Sequence, residues 1–242
     1  MMLTGNLATR SAHQTNDEPG VLTLARTRAV AEHFSALIAK HVQADLALDT
    51  CSYPSNEYHG AYRAIFIIID TPQALEDNLT LIENLRSENL KPIIGAVITG
   101  RGAFNKIKYH LAGADFCIKL NTLSDEGGDL LGEFFTSEEW LRDIDLILDP
   151  TRICLSDTSK KLDISFAEMK ILEAFSQTSN HILSHDEIAS IMGLNTHFYD
   201  PRALEKSISR LRGKIKDVYG TNAIQSIRGY GYRLMRGLIS TA

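Results

Sequence analysis

Cysteine is scarce in this 242-residue chain: Cys51, Cys117 and Cys154 are far apart and odd in number. Such a set does not suggest a disulfide framework and is typical of a reducing compartment. Long apolar runs are missing as well, because the longest strongly apolar one, 64–69, is far too short to span a bilayer. The first twenty residues are polar and contain no apolar leader segment. We therefore expect a cytoplasmic protein with no membrane partner.

Motifs for cofactor chemistry are also absent. Gly100 and Gly102 follow an apolar run, but Asn105 stands where a dinucleotide fingerprint needs its third glycine, and there is no Walker motif. The eight histidines and three cysteines have no metal-ligand spacing. The sequence therefore predicts no catalytic residue, no cofactor and no metal site, and we do not expect an enzyme.

Residues 1–143 alternate between apolar runs and helical patterns. Strands are expected at 21–24, 45–48, 64–69, 92–98 and 115–118, and helices at 29–41, 76–87 and 104–112. Repeated βα units indicate a doubly wound parallel sheet of five strands with helices on both faces. Chemistry in such sheets gathers at the carboxyl ends of the strands, where this sequence has Asp70, Thr99 and Lys119.

The charge is distributed unevenly along the chain. Residues 1–143 carry 12 Lys+Arg against 19 Asp+Glu, a net of −7, whereas residues 144–242 carry 13 against 11, a net of +2. Within 202–236 there are 9 basic residues and 2 acidic ones, a net of +7. A basic block inside an acidic protein is typical of an anion-binding surface.

Three helices in the C-terminal part are indicated by their caps. Ser165 and Ser184 each begin a capping box, with a glutamate three residues later. Asp200 is an N-cap that is followed by Pro201 at the first helical position. Short strands are expected before these helices, over 146–164, and a hairpin after them.

The third of these helices has two distinct faces. At about 100° per residue, its apolar side chains form one stripe, which consists of Leu204, Ile208, Leu211 and Ile215. The opposite face carries cations and small residues: Arg202, Lys206, Ser209 and Gly213, with Arg210 at its margin. In a major groove, such cations contact phosphates or guanine edges, and small residues permit close approach. The alternative is a solvated helix face without a ligand.

The stretch "IQSIRGYGYRL", residues 224–234, predicts a β-hairpin with one cation at its turn. Gly229 and Gly231 permit a tight turn, and Tyr232 is expected to pack into the core behind it. Taken alone, this is a surface turn that carries an arginine. After a cationic helix it is the layout of a winged helix, in which Arg228 enters the minor groove beside that helix. Tyr230 is compatible with either orientation.

Three segments resemble the DNA-binding effector domain of the OmpR/PhoB-type response regulators: "ISFAEMKILEAF", "LEKSISRLRGKIKD" and "IQSIRGYGYRL". The resemblance covers residues 144–236 and implies a four-stranded N-terminal sheet, a recognition helix over 202–216 and a wing. It also implies that the loop 193–201, "GLNTHFYDP", contacts RNA polymerase. The DNA-binding residues expected from helix and wing are Arg202, Lys206, Ser209, Arg210, Arg212, Lys214, Arg228 and Tyr230.

Residues 20–125 resemble a receiver domain. The resemblance implies Asp70 as phosphoacceptor, Thr99 as switch hydroxyl and Lys119 as the lysine that pairs with the phosphate. The family needs two acidic residues after the first strand to hold Mg²⁺, whereas this sequence has "ART" at 25–27. We therefore expect a degenerate receiver, in which the pocket of Asp70, Thr99, Lys119 and Arg26 has lost its metal site and Arg26 pairs with Asp70.

These patterns predict an α/β domain followed by an α+β domain. The expected segments are a flexible tail at 1–19, a receiver-like domain at 20–135, a linker at 136–143 and a winged-helix DNA-binding domain at 144–238. We interpret the chain as a sequence-specific regulator of transcription that binds double-stranded DNA as a homodimer without obligatory phosphorylation. The alternatives are a conventional regulator phosphorylated at Asp70 and a ligand- or redox-sensing regulator that uses Cys51 or Cys117.

Overall fold

The computed structural model describes residues 20–39, 41–42, 44–48, 62–71, 75–87, 92–99, 105–120, 131–132, 134–136, 140, 145–195 and 198–242. The predicted tail 1–19, Cys51, the glycines of 100–102 and most of the predicted linker 136–143 lie outside these residues.

The N-terminal half contains the predicted parallel sheet. Its strands are β1 Gly20–Ala25, β2 Ala44–Leu48, β3 Tyr62–Ile69, β4 Ile93–Ile98 and β5 Phe116–Lys119. They are ordered β2-β1-β3-β4-β5, and every neighbouring pair is parallel. The helices of this half include α1 Arg28–Ile38, α2 Leu75–Ser87 and α3 Lys106–Ala112. The five-stranded parallel sheet is therefore confirmed.

The central strand β3 separates two apolar cores. Its even-numbered residues over 64–68 pack on the side of α1, and its odd-numbered residues over 65–69 pack with α2 and α3. Both faces are buried, which explains why this strand is a continuous apolar run. Trp140, from the predicted linker, packs against Phe134 and Phe135 in the core on the α1 side.

The C-terminal half has the predicted order of strands, three helices and hairpin. Its strands are β6 Leu146–Asp149, β7 Cys154–Ser156, β8 Lys161–Asp163, β9 Ile182–Ser184, β10 Ile224–Ile227, β11 Gly231–Leu234 and β12 Ile239–Thr241. Its helices are α4 Phe166–Gln177, α5 His185–Ile191 and α6 Pro201–Tyr219. The capping boxes at Ser165 and Ser184 are confirmed, with both reciprocal hydrogen bonds present in each.

The four-stranded sheet implied by the resemblance is present, but its fourth strand comes from the end of the chain. The strand order is β12-β6-β7-β8, in which β12 pairs parallel with β6 and the other pairs are antiparallel. The Ala242 amide donates to the Leu148 carbonyl at 3.0 Å. The winged-helix domain thus extends beyond the predicted boundary at 238.

Among the described residues, no helix combines the length and the apolar character that a membrane crossing requires.

Candidate nucleic-acid interface

The helix α6 has the two faces predicted for it. The apolar stripe is buried: Leu204, Ile208, Leu211 and Ile215 are each at most 1% exposed. The exposed side chains on the other side include Arg202, Lys206, Ser209 and Arg210. Within the described part of the chain, the three cations of this set form no ion pair with a carboxylate. Their charge is therefore available to an anionic partner.

Both ends of α6 are fixed to the domain. At the N-terminus, the Asp200 side chain accepts a hydrogen bond from the Arg202 amide at 3.0 Å. At the C-terminus, Gly220 adopts a left-handed conformation with φ 73° and ends the helix. The hydroxyl of Tyr219 donates to the Leu155 carbonyl at 2.7 Å. This bond joins the last turn of α6 to strand β7.

The wing is the antiparallel hairpin of β10 and β11, with its turn at residues 228–230. Gly229 has φ 77°, in the left-handed region that favours glycine. A side chain at Gly231 would collide with the backbone of Leu183 in the neighbouring strand β9. Glycine is therefore required at position 229 by the backbone conformation and at position 231 by the lack of space for a side chain. Arg228 is exposed at the turn.

Arg212 connects α6 to the wing. Its guanidinium lies over the ring of Tyr232, 5.1 Å from the centroid, and its Nη2 donates to Ser226 Oγ at 3.0 Å. Burial lowers the pKa of Arg212. Tyr232 is 6% exposed and belongs to the core, as predicted, whereas Tyr230 is half-buried.

Lys214 is also engaged inside the domain. Its Nζ lies 2.7 Å from Glu168 Oε2 on α4. Glu168 is the capping-box glutamate of that helix, so Lys214 reinforces the cap as well as the contact between the two helices. Their position on a cationic helix predicts that Arg212 and Lys214 contact DNA. The structure gives each of them a partner within the domain.

The pocket expected from the receiver resemblance is only partly as predicted. Asp70 follows β3, Thr99 follows β4 and Lys119 ends β5, so the three residues lie at one edge of the sheet. The oxygen Oδ1 of Asp70 is buried and has no hydrogen-bond partner among the described residues. The expected pair of Arg26 with Asp70 is not what the structure contains: the Arg26 guanidinium lies 2.8 Å from Asp77 on α2.

Neither described cysteine has the environment of a reactive thiol. Burial raises the pKa of the Cys117 thiol to about 12, and its Sγ donates to the Lys106 carbonyl at 3.8 Å. Cys154 is buried in the C-terminal half. Because the thiolate is the reactive species, Cys117 is poorly suited to sensing oxidants. Among the described residues, no three His, Cys, Asp or Glu side chains lie together in a group that could hold a metal ion.

Asp115 lies at the domain junction, which we define as the contact of α3–β5 with residues 179–181 and 233–236. Its carboxylate is 4% exposed and contacts Arg86 of its own domain, while Arg233 and Arg236 of the other domain lie 3.4 and 3.3 Å from Oδ1. Arg236 also donates to the Ser179 carbonyl at 2.8 Å. Burial opposes ionisation of Asp115, but the three guanidinium groups outweigh it and hold the pKa of this carboxyl below its usual value.

Two further contacts cross the domain junction. The Arg233 guanidinium lies 5.2 Å from the centroid of the Phe116 ring, and the Asn180 amide donates to the Leu111 carbonyl at 3.2 Å. No motif predicted this arrangement. The sequence gives one indication of it: Arg233 lies within, and Arg236 just after, a strand whose other residues contribute to the core.

His181 lies beside the ion pairs of the junction. Burial lowers the pKa of its imidazole to about 4, and Arg236 contributes in the same direction. Asp115 has the opposite effect, but Arg86 and Arg233 add to the repulsion. The folded protein therefore keeps His181 neutral well below the pH at which an unfolded chain would protonate it.

The chain is similar to known proteins in its C-terminal half and over longer stretches. The family described as transcriptional regulatory protein, C terminal, matches residues 159–234. The chain is 28% identical over 135 residues to the probable transcriptional regulatory protein SilR of Salmonella typhimurium, a match to 55% of this chain and 57% of that protein. It is 25% identical over 207 residues to the transcriptional regulatory protein CusR of Escherichia coli K12, covering 79% and 88%. The solved structure of response regulator DrrB, a Thermotoga maritima OmpR/PhoB homolog, is 14% identical with a TM-score of 0.38, covering 89% and 98%.

The environment of His181 predicts a pH-dependent stability. Between about pH 6.5 and pH 4 the unfolded chain binds a proton that the folded protein excludes, so the free energy of unfolding should fall as the pH is lowered through this range. His181→Asn should make that decline shallower, and asparagine tolerates the positive φ of 55° at this position. The measurement is urea unfolding across the pH range, with His33→Asn, an exposed histidine on α1, as control. An unchanged slope in His181→Asn would contradict the assignment.

Proposed function

Residues 159–234 form a domain of the family described as transcriptional regulatory protein, C terminal, and from this premise we propose that the chain is a sequence-specific DNA-binding regulator of transcription. The observation that carries the proposal is the exposed cationic face of α6 next to a wing with Arg228 at its turn. We propose that the protein binds DNA in the cytoplasm and catalyses no reaction. Two relatives, SilR and CusR, have the words transcriptional regulatory protein in their names.

We assign the DNA contacts to five residues. Arg202, Lys206, Ser209 and Arg210 lie on the exposed face of α6, which enters the major groove. Arg228 enters the adjacent minor groove, where a narrow A·T-rich segment concentrates negative potential. Arg212 and Lys214 have a different part: their contacts with Tyr232 and Glu168 hold the wing and α4 against the recognition helix.

The double variant Lys206→Ala, Arg228→Ala tests the assignment. Each lost phosphate contact should reduce the dependence of log affinity on log salt by about 0.9, and affinity for duplex DNA should fall. The measurement is a fluorescence-anisotropy titration over a range of salt concentrations.

The matched control is Arg152→Ala, Lys161→Ala. These two cations lie before β7 and in β8, on neither the exposed face of α6 nor the wing, and removing them lowers the net charge by the same amount. Equal affinities for the two double variants would reject the interface.

We propose that the protein acts as a homodimer on DNA, because one winged helix contacts too few base pairs for good specificity. The same titrations, followed by nuclease footprinting, should then give cooperative protection of two half-sites about 10 base pairs apart. A single short protected half-site at saturation contradicts the dimer.

We further propose that regulation does not require phosphorylation. Transfer of a phosphoryl group to Asp70 brings two anions together, and the receiver resemblance implies an Mg²⁺ held by acidic residues after β1 for this purpose. This chain has Arg26 and Thr27 there; Arg26 pairs with Asp77, and Thr27 caps α1. These contacts support a pocket without the metal.

The second candidate, a conventional regulator phosphorylated at Asp70, is favoured by one observation: the buried Oδ1 of Asp70 has no hydrogen-bond partner among the described residues. Intact-mass measurement after incubation with acetyl phosphate and Mg²⁺ separates the two. We expect no substantial adduct of about 80 Da, the mass of one phosphoryl group. An adduct that forms in the parent chain and not in Asp70→Asn would establish the conventional mechanism instead.

RNA polymerase is the partner we propose for the loop 193–201. Phe198 in this loop is 87% exposed, so its ring is accessible to a partner protein. Phe198→Ala should lower polymerase-dependent transcription in vitro and leave DNA affinity unchanged. Phe166→Ala, an exposed aromatic residue on α4, is the matched control. Full transcription by Phe198→Ala would contradict the proposed contact.

A further inference from the structure

A cleft lies between the N-terminal domain and the wing. Its volume is about 800 Å³, and its walls come from residues 105–107, 110 and 115–117 on one side and residues 225–228 on the other. The wing turn that carries Arg228 thus lies beside the beginning of α3 in the N-terminal domain. Any duplex that the wing contacts must pass close to this helix.

The domain junction keeps the two walls of the cleft together. Asp115, itself a lining residue, contacts Arg233 and Arg236 from the winged-helix domain. The bond from Asn180 to the Leu111 carbonyl ties the last turn of α3 to the same domain. Because these contacts flank the cleft, the position of α3 relative to the wing is set by ion pairs and hydrogen bonds.

The cleft has a positive charge. Lys106 and Arg228 line it from opposite sides, both are exposed, and neither forms an ion pair within the described part of the chain. Among the described lining residues Asp115 is the one acid, and its charge is compensated by the guanidinium groups around it. An anion at the mouth of the cleft therefore meets cations from both domains.

We propose that Lys106 contacts DNA: its ammonium group binds a backbone phosphate beside the minor groove that Arg228 enters. The proposal rests on the DNA-binding function and extends the interface to the N-terminal domain. A minor groove about 6 Å wide is bordered by phosphates on both strands, and a duplex carries one charge per about 1.7 Å of its axis. A lysine on a flexible stem suits such a phosphate, since its ammonium is a compact point charge that needs no fixed geometry.

The chain provides a matched control for this contact. Lys108 is exposed on the same helix and carries the same charge, but it does not line the cleft. Lys106→Gln and Lys108→Gln therefore change the net charge and the distant field equally. They differ in whether the lysine that is removed faces the wing.

The experiment measures affinity for a duplex bound by the full chain, over a range of salt concentrations. Lys106→Gln should reduce the salt slope by about 0.9, with a loss of affinity of about threefold, and Lys108→Gln should change neither beyond error. Equal effects of the two variants would overturn the proposal. If the Lys206, Arg228 double variant weakens binding in that case, the DNA-binding function still holds; if it too has no effect, both ideas fail.

A second background tests whether the domain junction positions Lys106. Arg236→Gln removes one ion pair with Asp115 and leaves Arg233 and the proposed DNA contacts in place. In this background the effect of Lys106→Gln should shrink, because α3 is held less firmly beside the wing. Circular dichroism verifies that the variant is folded. An undiminished effect of Lys106→Gln would contradict positioning by the junction.

Discussion

The carboxylate of Asp115 is buried where the two domains meet, and the guanidinium groups around it come from both of them. A carboxylate leaves water at a high cost unless ion pairs and hydrogen bonds replace the lost hydration. Here the Ile94 amide donates to Oδ2 at 2.8 Å, and Arg86 anchors the group from within its own domain. Removing one partner from such a buried pair typically costs about 3–5 kcal/mol. The relation between the two domains therefore depends strongly on this side chain, which acts together with the contacts of Phe116 and Leu111 across the junction.

Strand β11 transmits that constraint to the interface. Tyr232 faces the core and stacks with Arg212 of the recognition helix, while the next residue, Arg233, reaches the N-terminal domain. The wing is thus held from both sides, and its turn projects Arg228 from a fixed base. A cation presented in this way loses less conformational entropy on binding DNA than one on a mobile loop.

Local sequence signals predicted most of the scaffold. Ser165 and Ser184 reveal their helices because a capping box involves neighbours three residues apart. The buried stripe of α6 follows from its period, and Tyr232 follows from alternation in the hairpin. In each case the residues that interact are close in the chain, so the pattern alone is informative.

Contacts between distant residues escaped prediction for the opposite reason. The partners of Asp115 are up to 121 residues away in the chain. No local pattern around Asp115 or around its partners predicts that they meet. Arg26 was expected beside Asp70, but Asp77 at the start of α2 lies closer to its guanidinium. Helical position alone marked Lys214 as a DNA contact, whereas its ion pair with Glu168 connects two helices whose packing the sequence does not reveal. The strand β12 likewise depends on pairing with β6, far earlier in the chain.

We propose that α6 reads the major groove while Arg228 occupies the minor groove next to it. Hydroxyl-radical footprinting, which reports sugar accessibility in the minor groove, tests this most directly when the parent chain and Arg228→Ala are compared on one bound duplex at saturation. Arg228→Ala should lose protection in one minor-groove segment and keep the rest of the footprint. Identical footprints for the two proteins would contradict it.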